Sequence, residues 1–259
     1  MGQRSRFYNA LQEPTGSSQG PTHPRHLRPA AHWQTRIFSQ GVILRRKRCI
    51  DPDTLRASFD LASVYFAQND FQNAERLNRQ VADVQARTIG RDHPDTLATL
   101  NNLGAILLRQ QRYEEAAALN ADLLQTRRRV LGETHPDTLR SLHQLGVSYM
   151  RLGRLDEAER LLISAKEGRR RIIGETHPGT ILTISRLADL YVAQRRYEDA
   201  ESQLLNAAEV LHLDGRSSSS ASAFYAEGSE INIGKQLSEL YRVWGQKAKA
   251  AEWSAKLTK

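Results

Sequence analysis

"GETHPDTLRSLHQLG", residues 132–146, sets a histidine, a proline, an aspartate and a threonine side by side. Such a run invites a reading as a catalytic or metal-binding box. The box recurs, however, as "DPDTL" at 51–55, "DHPDTL" at 92–97, "THPDTL" at 134–139 and "THPGTI" at 176–181. Its prolines, Pro52, Pro94, Pro136 and Pro178, stand 42 residues apart each time. A fixed period in this range marks a stack of repeated supersecondary units.

The rest of each unit keeps the same register. Leu61, Leu103, Leu145 and Leu187 coincide, followed by the small residues Ala62, Gly104, Gly146 and Ala188. Further on, Ala74, Ala116, Ala158 and Ala200 coincide. Steps of three and four between such positions describe a helical face. Each proline opens a first helix, where its missing N–H has no intrahelical partner to lose. Asp53, Asp95 and Asp137 follow at the positive end of the dipole. That helix breaks at a polar corner, and a second opens on Phe71, Tyr113, Leu155 or Tyr197. It closes on "ARTIG" (86–90), "RRRVLG" (127–132) or "RRRIIG" (169–174). Arginines suit the negative end of a helix dipole, and glycine suits the position after the helix.

Five segments follow. Residues 1–32 read as a disordered basic leader and 33–50 as the eroded helix of a preceding repeat. Residues 51–212 hold four 42-residue units, and 213–229 form a Ser-rich loop. Residues 230–259 are a degenerate fifth repeat, because "LSELYRVWGQKAKAAEW" (237–253) matches residues 187–203 at an offset of 50. A repeat array needs a more polar terminal cap of this kind.

Charge divides along the same lines. Residues 1–50 carry nine Lys or Arg against one acid, Glu13, whereas residues 51–259 carry 28 of each sign. The net charge of +8 therefore belongs to residues 1–50, and nucleic-acid binding has support only there. Cys49 is the only cysteine, which excludes a disulfide framework. No apolar run is long enough to span a membrane, and the start lacks the apolar core of a secretory signal. The expected location is cytoplasmic, with the Arg45–Arg48 basic run adding a nuclear address as an alternative.

"THPDTLRSLHQLGVSYMRLGRLDEAERLL" resembles the 42-residue tetratricopeptide repeat of kinesin light chains and kinesin-light-chain-like proteins. The match runs over roughly residues 51–212, with a weaker echo to 257. The resemblance implies an all-α fold, a right-handed α-solenoid of helix-turn-helix repeats. It also implies a concave groove, lined by the first helices, that holds peptide segments of partner proteins. True kinesin light chains dimerise through a heptad segment, and none precedes these repeats, so membership of a motor complex is not expected.

The box histidines His93, His135 and His177 occupy successive units. Stacked helices lie about 8–10 Å apart, whereas a zinc ligand sits within about 2.1 Å of the metal. They read as capping and packing residues, and no metal site is expected. "GSEINIGKQ" (228–236) fails as a phosphate loop, since five residues separate its glycines and Gln236 follows the lysine. No nucleophile elbow, zinc-protease helix or paired-cysteine motif appears. The protein is read as no enzyme, with no cofactor and no small-molecule substrate.

The remaining candidate is the groove. Its expected lining is Arg56, Phe59 and Ser63 in unit one, then Asn101, Asn102 and Ala105 in unit two. Units three and four add His143, Gln144, Val147, Ser185 and Asp189. In kinesin light chains the asparagines of the matching "NNL" segment bind peptide backbone, and only Asn101–Asn102–Leu103 keeps the pair here. Amide side chains offer the donor and acceptor that an extended backbone needs. The expected work is that of a protein-interaction scaffold or adaptor whose partners are proteins or peptide segments. The alternative is the sensor tail of a larger NTPase-type signalling protein. Nucleic-acid binding through the leader ranks last.

Overall fold

The HPDT box ties each helix to the next. In the computed structural model, which describes residues 52–211 and 233–256, the second helix of each of the first three units ends one turn before a box. Gly90, Gly132 and Gly174 close those helices with φ of 100°, 87° and 90°. At Gly132, ψ is 168°, a conformation that essentially only glycine adopts. The box histidines are N-caps: their Nδ1 atoms accept from the N–H of Asp95, Asp137 and Gly179 at 3.2, 3.1 and 3.0 Å. The box threonines turn back, Thr96, Thr138 and Thr180 each donating at 2.8 Å to the carbonyl of Gly90, Gly132 or Gly174. Each box thus satisfies orphan groups on both sides of the junction.

Ten helices result. They are α1 (Pro52–Ala67), α2 (Phe71–Thr88), α3 (Pro94–Arg109), α4 (Tyr113–Leu131) and α5 (Pro136–Arg151). Then come α6 (Leu155–Ile173), α7 (Pro178–Ala193), α8 (Tyr197–Val210), α9 (Ile233–Trp244) and α10 (Lys247–Lys256). They pack as consecutive helix-turn-helix pairs, each second helix lying against its own first helix and the first helix of the next pair. Among the described residues there is no strand. The architecture is the all-α, right-handed solenoid that the family resemblance implies. The proposed leader, the segment 33–50 and the Ser-rich loop lie outside the described residues.

Corners between paired helices use one left-handed residue each: Asn69, Gln111, Gly153 and Arg195, with φ of 60°, 62°, 75° and 60°. The core follows the aligned columns. Leu61, Leu103, Leu145 and Leu187 are buried, and the alanines at 74, 116, 158 and 200 are fully so. Gly104 and Gly146 are small because their helices cross closely. A Cβ on Gly146 would lie 2.8 Å from Leu162 Cγ, and one on Gly104 would lie 2.6 Å from Asn120 Oδ1. The last pair closes the stack. Ile233, Leu237, Tyr241 and Trp253 join the core formed with α7 and α8, and Tyr241 donates to Glu201 at 2.7 Å.

Candidate peptide-binding surface

The first helices, α1, α3, α5 and α7, present one face that neither their partners nor their neighbours cover. It is built from columns that recur every 42 residues. Asp60, Asn102, Gln144 and Arg186 form one; Ser63, Ala105, Val147 and Asp189 form the next. Arg56, Ala98, Arg140 and Leu182 form a third. Steps of four and three within a helix keep these positions on one face. All are exposed or half-buried.

Of the expected lining, Arg56, Ser63, Asn102, Ala105, Gln144, Val147 and Asp189 stand on this face, and Phe59 is half-buried beside it. Asn101, His143 and Ser185 do not. Their exposures are 3%, 6% and 1%. They lie one residue, about 100°, round the helix, turned away from the open face. Solvent reaches Arg140 and Arg186, which were not anticipated. The signal for both was in the sequence, since each continues a column begun by Arg56 or Asp60.

What covers the buried column is a set of inward-turned side chains near the ends of the second helices. Arg127 Nη1 donates to Asn101 Oδ1 at 2.9 Å, to Ser141 Oγ at 2.7 Å and to the Asp137 carbonyl at 3.1 Å. Its Nη2 donates to the Leu97 carbonyl. Arg169 repeats the contact one unit on, reaching Thr183 Oγ1 at 2.6 Å. In unit one Gln85 takes the position and accepts from Thr99 at 2.8 Å. The first arginine of each "RRR" is therefore an internal strut, while the others face solvent. Burial pushes both guanidinium groups down to about 10. His143 sits beside Arg169 with its Nδ1 unpartnered. Burial first, then Arg169 and Arg186, hold its imidazole well below the usual histidine range, so it is neutral.

On the open face the chemistry is that of recognition. The Asn102 side-chain amide makes no hydrogen bond among the described residues. With Ser63, Phe66 and Ala105 it lines an opening of about 120 Å³ between α1 and α3. Asp189 accepts from Arg186 at 3.1 Å and from Gln236 at 3.0 Å, which fixes the far end. Among the described residues no three His, Cys, Asp or Glu converge as a metal site, and no helix is long and apolar enough to cross a membrane.

The tetratricopeptide repeat model matches residues 53–125, 97–151 and 141–211. The chain belongs to the tetratricopeptide repeat family. Its repeats are kinesin-light-chain-like. Nearly identical TPR-like repeats from Podosopora anserina, assigned to a kinesin light chain, are 25% identical. They match with a TM-score of 0.67 over 82% of this chain and 96% of that one. BtubC from P. vanneervenii is 19% identical, with a TM-score of 0.66 over 88% of this chain and 90% of that one. A Rap protein solved in complex with competence and sporulation factor shares the fold at 13% identity. Its TM-score is 0.55 over 87% of this chain and 70% of that one. No curated protein matches the sequence. Tetratricopeptide arrays are typically interaction modules, and generally non-catalytic scaffolds.

Proposed function

We propose that this tetratricopeptide array is a non-catalytic adaptor that holds an extended peptide segment of a partner protein along the open face of α1, α3, α5 and α7. The observation that carries this reading is Asn102. Its amide is uncommitted and stands mid-array beside an opening, with Gln144 at the equivalent place one unit on. An extended backbone bound there satisfies one amide with both donor and acceptor. The ladder of Ser63, Ala105, Val147 and Asp189 gives side chains of the segment a graded polar and apolar floor. A fold-level relative solved with competence and sporulation factor is consistent with this use.

The test is recovery of partners by the purified chain, comparing wild type with Asn102→Ala/Gln144→Ala. Both residues are only half-buried, so the melting temperature should hold while specific recovery falls about tenfold. Unchanged recovery would overturn the reading. Asn101→Ala is the control for the buried column and should act through stability instead.

A further inference from the structure

On the opposite side of the stack, the junction between units two and three is built differently from its neighbours. At the first junction Glu75 accepts from Arg112 at 2.8 Å and from Gln110 at 2.9 Å. At the third, Glu159 accepts from Arg196 at 2.9 Å and from Gln194 at 3.2 Å. The equivalent residues at the middle junction are Ala117, Leu152 and Arg154. Arg154 keeps the local contacts that Arg196 also makes, onto the acid three residues on (Glu157, 2.8 Å) and over a tyrosine ring (Tyr149, 3.9 Å), but faces Ala117 where the others meet a carboxylate. The third junction carries a second cross-link. Lys166 donates to Gln203 between α6 and α8, and the matching residues between α4 and α6 are Leu124 and Leu161.

Where these links are missing, a cleft of about 740 Å³ separates α4 from α6. The corresponding space between α6 and α8 is about 60 Å³. Leu124, Leu145, Tyr149 and Leu161 form its apolar lining. Arg128 and Arg129 stand on one rim and Arg160 on the other. The rim acid, Glu157, has both carboxylate oxygens occupied by Arg154. Arg128 and Arg129 make only exposed pairs, with Glu133 and Asp92. Such pairs are worth little and exchange readily.

We propose that this cleft is a second docking site, separate from the open face, and that it takes an acidic amphipathic helix of another protein. The α4 wall steps through positions 121, 124, 125, 128 and 129, and the α6 wall through 157, 160 and 161. Such spacing makes a furrow into which the ridge of a third helix packs. The charge of the rim selects the partner. A helix flanked by carboxylates meets three arginines, whereas a basic helix meets the same three as repulsion.

The experiment uses the full chain and two labelled four-turn model helices. Both carry leucines at three- and four-residue spacing; one is flanked by glutamates, its twin by lysines. Fluorescence anisotropy should show the glutamate helix binding at least about tenfold more tightly than the lysine twin. Arg128→Glu/Arg160→Glu, two surface changes, should reverse that preference. Leu124→Lys/Leu161→Gln, which rebuilds the bridge found between α6 and α8, should abolish binding of the glutamate helix. Asn102→Ala/Gln144→Ala should leave it unchanged, so this site and the open face fail or stand separately. Equal binding of the two helices overturns the proposal. So does indifference to the charge reversal, or no binding at millimolar concentration. Capture of the chain by anionic vesicles with neither helix bound also overturns it, in favour of a lipid surface.

Discussion

Arg127 Nη1 lies 2.7 Å from Ser141 Oγ, fourteen residues further on and in the next repeat. The same pairing occurs between Arg169 and Thr183 and, with neutral groups, between Gln85 and Thr99. A buried guanidinium that satisfies four acceptors on two helices is costly to remove, since the acceptors are left dry. Arg127→Ala should lose about 3–5 kcal/mol in urea unfolding. Arg127→Gln, which copies unit one, should recover part of that loss. A loss below about 1 kcal/mol for the alanine variant would contradict the strut.

His143 gives the fold an acid-sensitive point. Its folded-state pKa lies well below the value of 6.5 that an unfolded histidine has. Above pH 6.5 both states are neutral and stability is indifferent to this group. Below it, the unfolded chain takes a proton that the folded chain refuses. Stability therefore falls by up to about 1.4 kcal/mol per pH unit. Urea midpoints measured at pH 7.5 and 5.5 should separate by more in wild type than in His143→Asn, which carries the residue found at position 101.

Gly146→Ala places a Cβ against Leu162, a fully buried side chain. The expected cost is about 1–3 kcal/mol from overpacking. Adding Leu162→Val should relieve some of it, giving a non-additive double-mutant cycle in thermal denaturation. Ala188 already occupies the matching place in unit four, so the chemistry of alanine is tolerated and the crowding is specific to α5 and α6.

At the corners, Gln111 and Arg195 hold φ of 62° and 60°. A side chain costs about 1–2 kcal/mol in that conformation, and glycine adopts it freely at the expense of extra freedom in the unfolded chain. Gln111→Gly should therefore raise the melting temperature slightly, whereas Gly153→Gln should lower it. Calorimetry on the two variants checks the pair.

The repeat boundaries were legible in the sequence because their causes are local. Proline, histidine and glycine each act within one turn of chain, and the period displays them four times. The threonine of the box was overlooked because its partner, a glycine carbonyl six residues back, is a tertiary detail of the junction. One column of the expected face, Asn101, His143 and Ser185, lies one residue round the helix from the open side. Which side of a first helix remains open depends on how the second helices pack against it, and the spacing along the first helix does not encode that angle. The struts were harder still. "RRR" before a helix-ending glycine reads as solvent-facing, and the only sign otherwise is a polar residue fourteen positions later at Thr99, Ser141 and Thr183.

The junctions of this array are held by different forces. The first and third carry ion pairs whose arginines, Arg112 and Arg196, are about 40% exposed at 38% and 42%. The middle one lacks that clamp and keeps the buried strut Arg127, 1% exposed, whose counterpart Arg169 also serves the third. Mobile ions screen the former and cannot reach the latter. Rising ionic strength thus weakens the exposed clamps of the outer joints while the buried struts hold. Salt therefore acts on this solenoid joint by joint rather than evenly along its length.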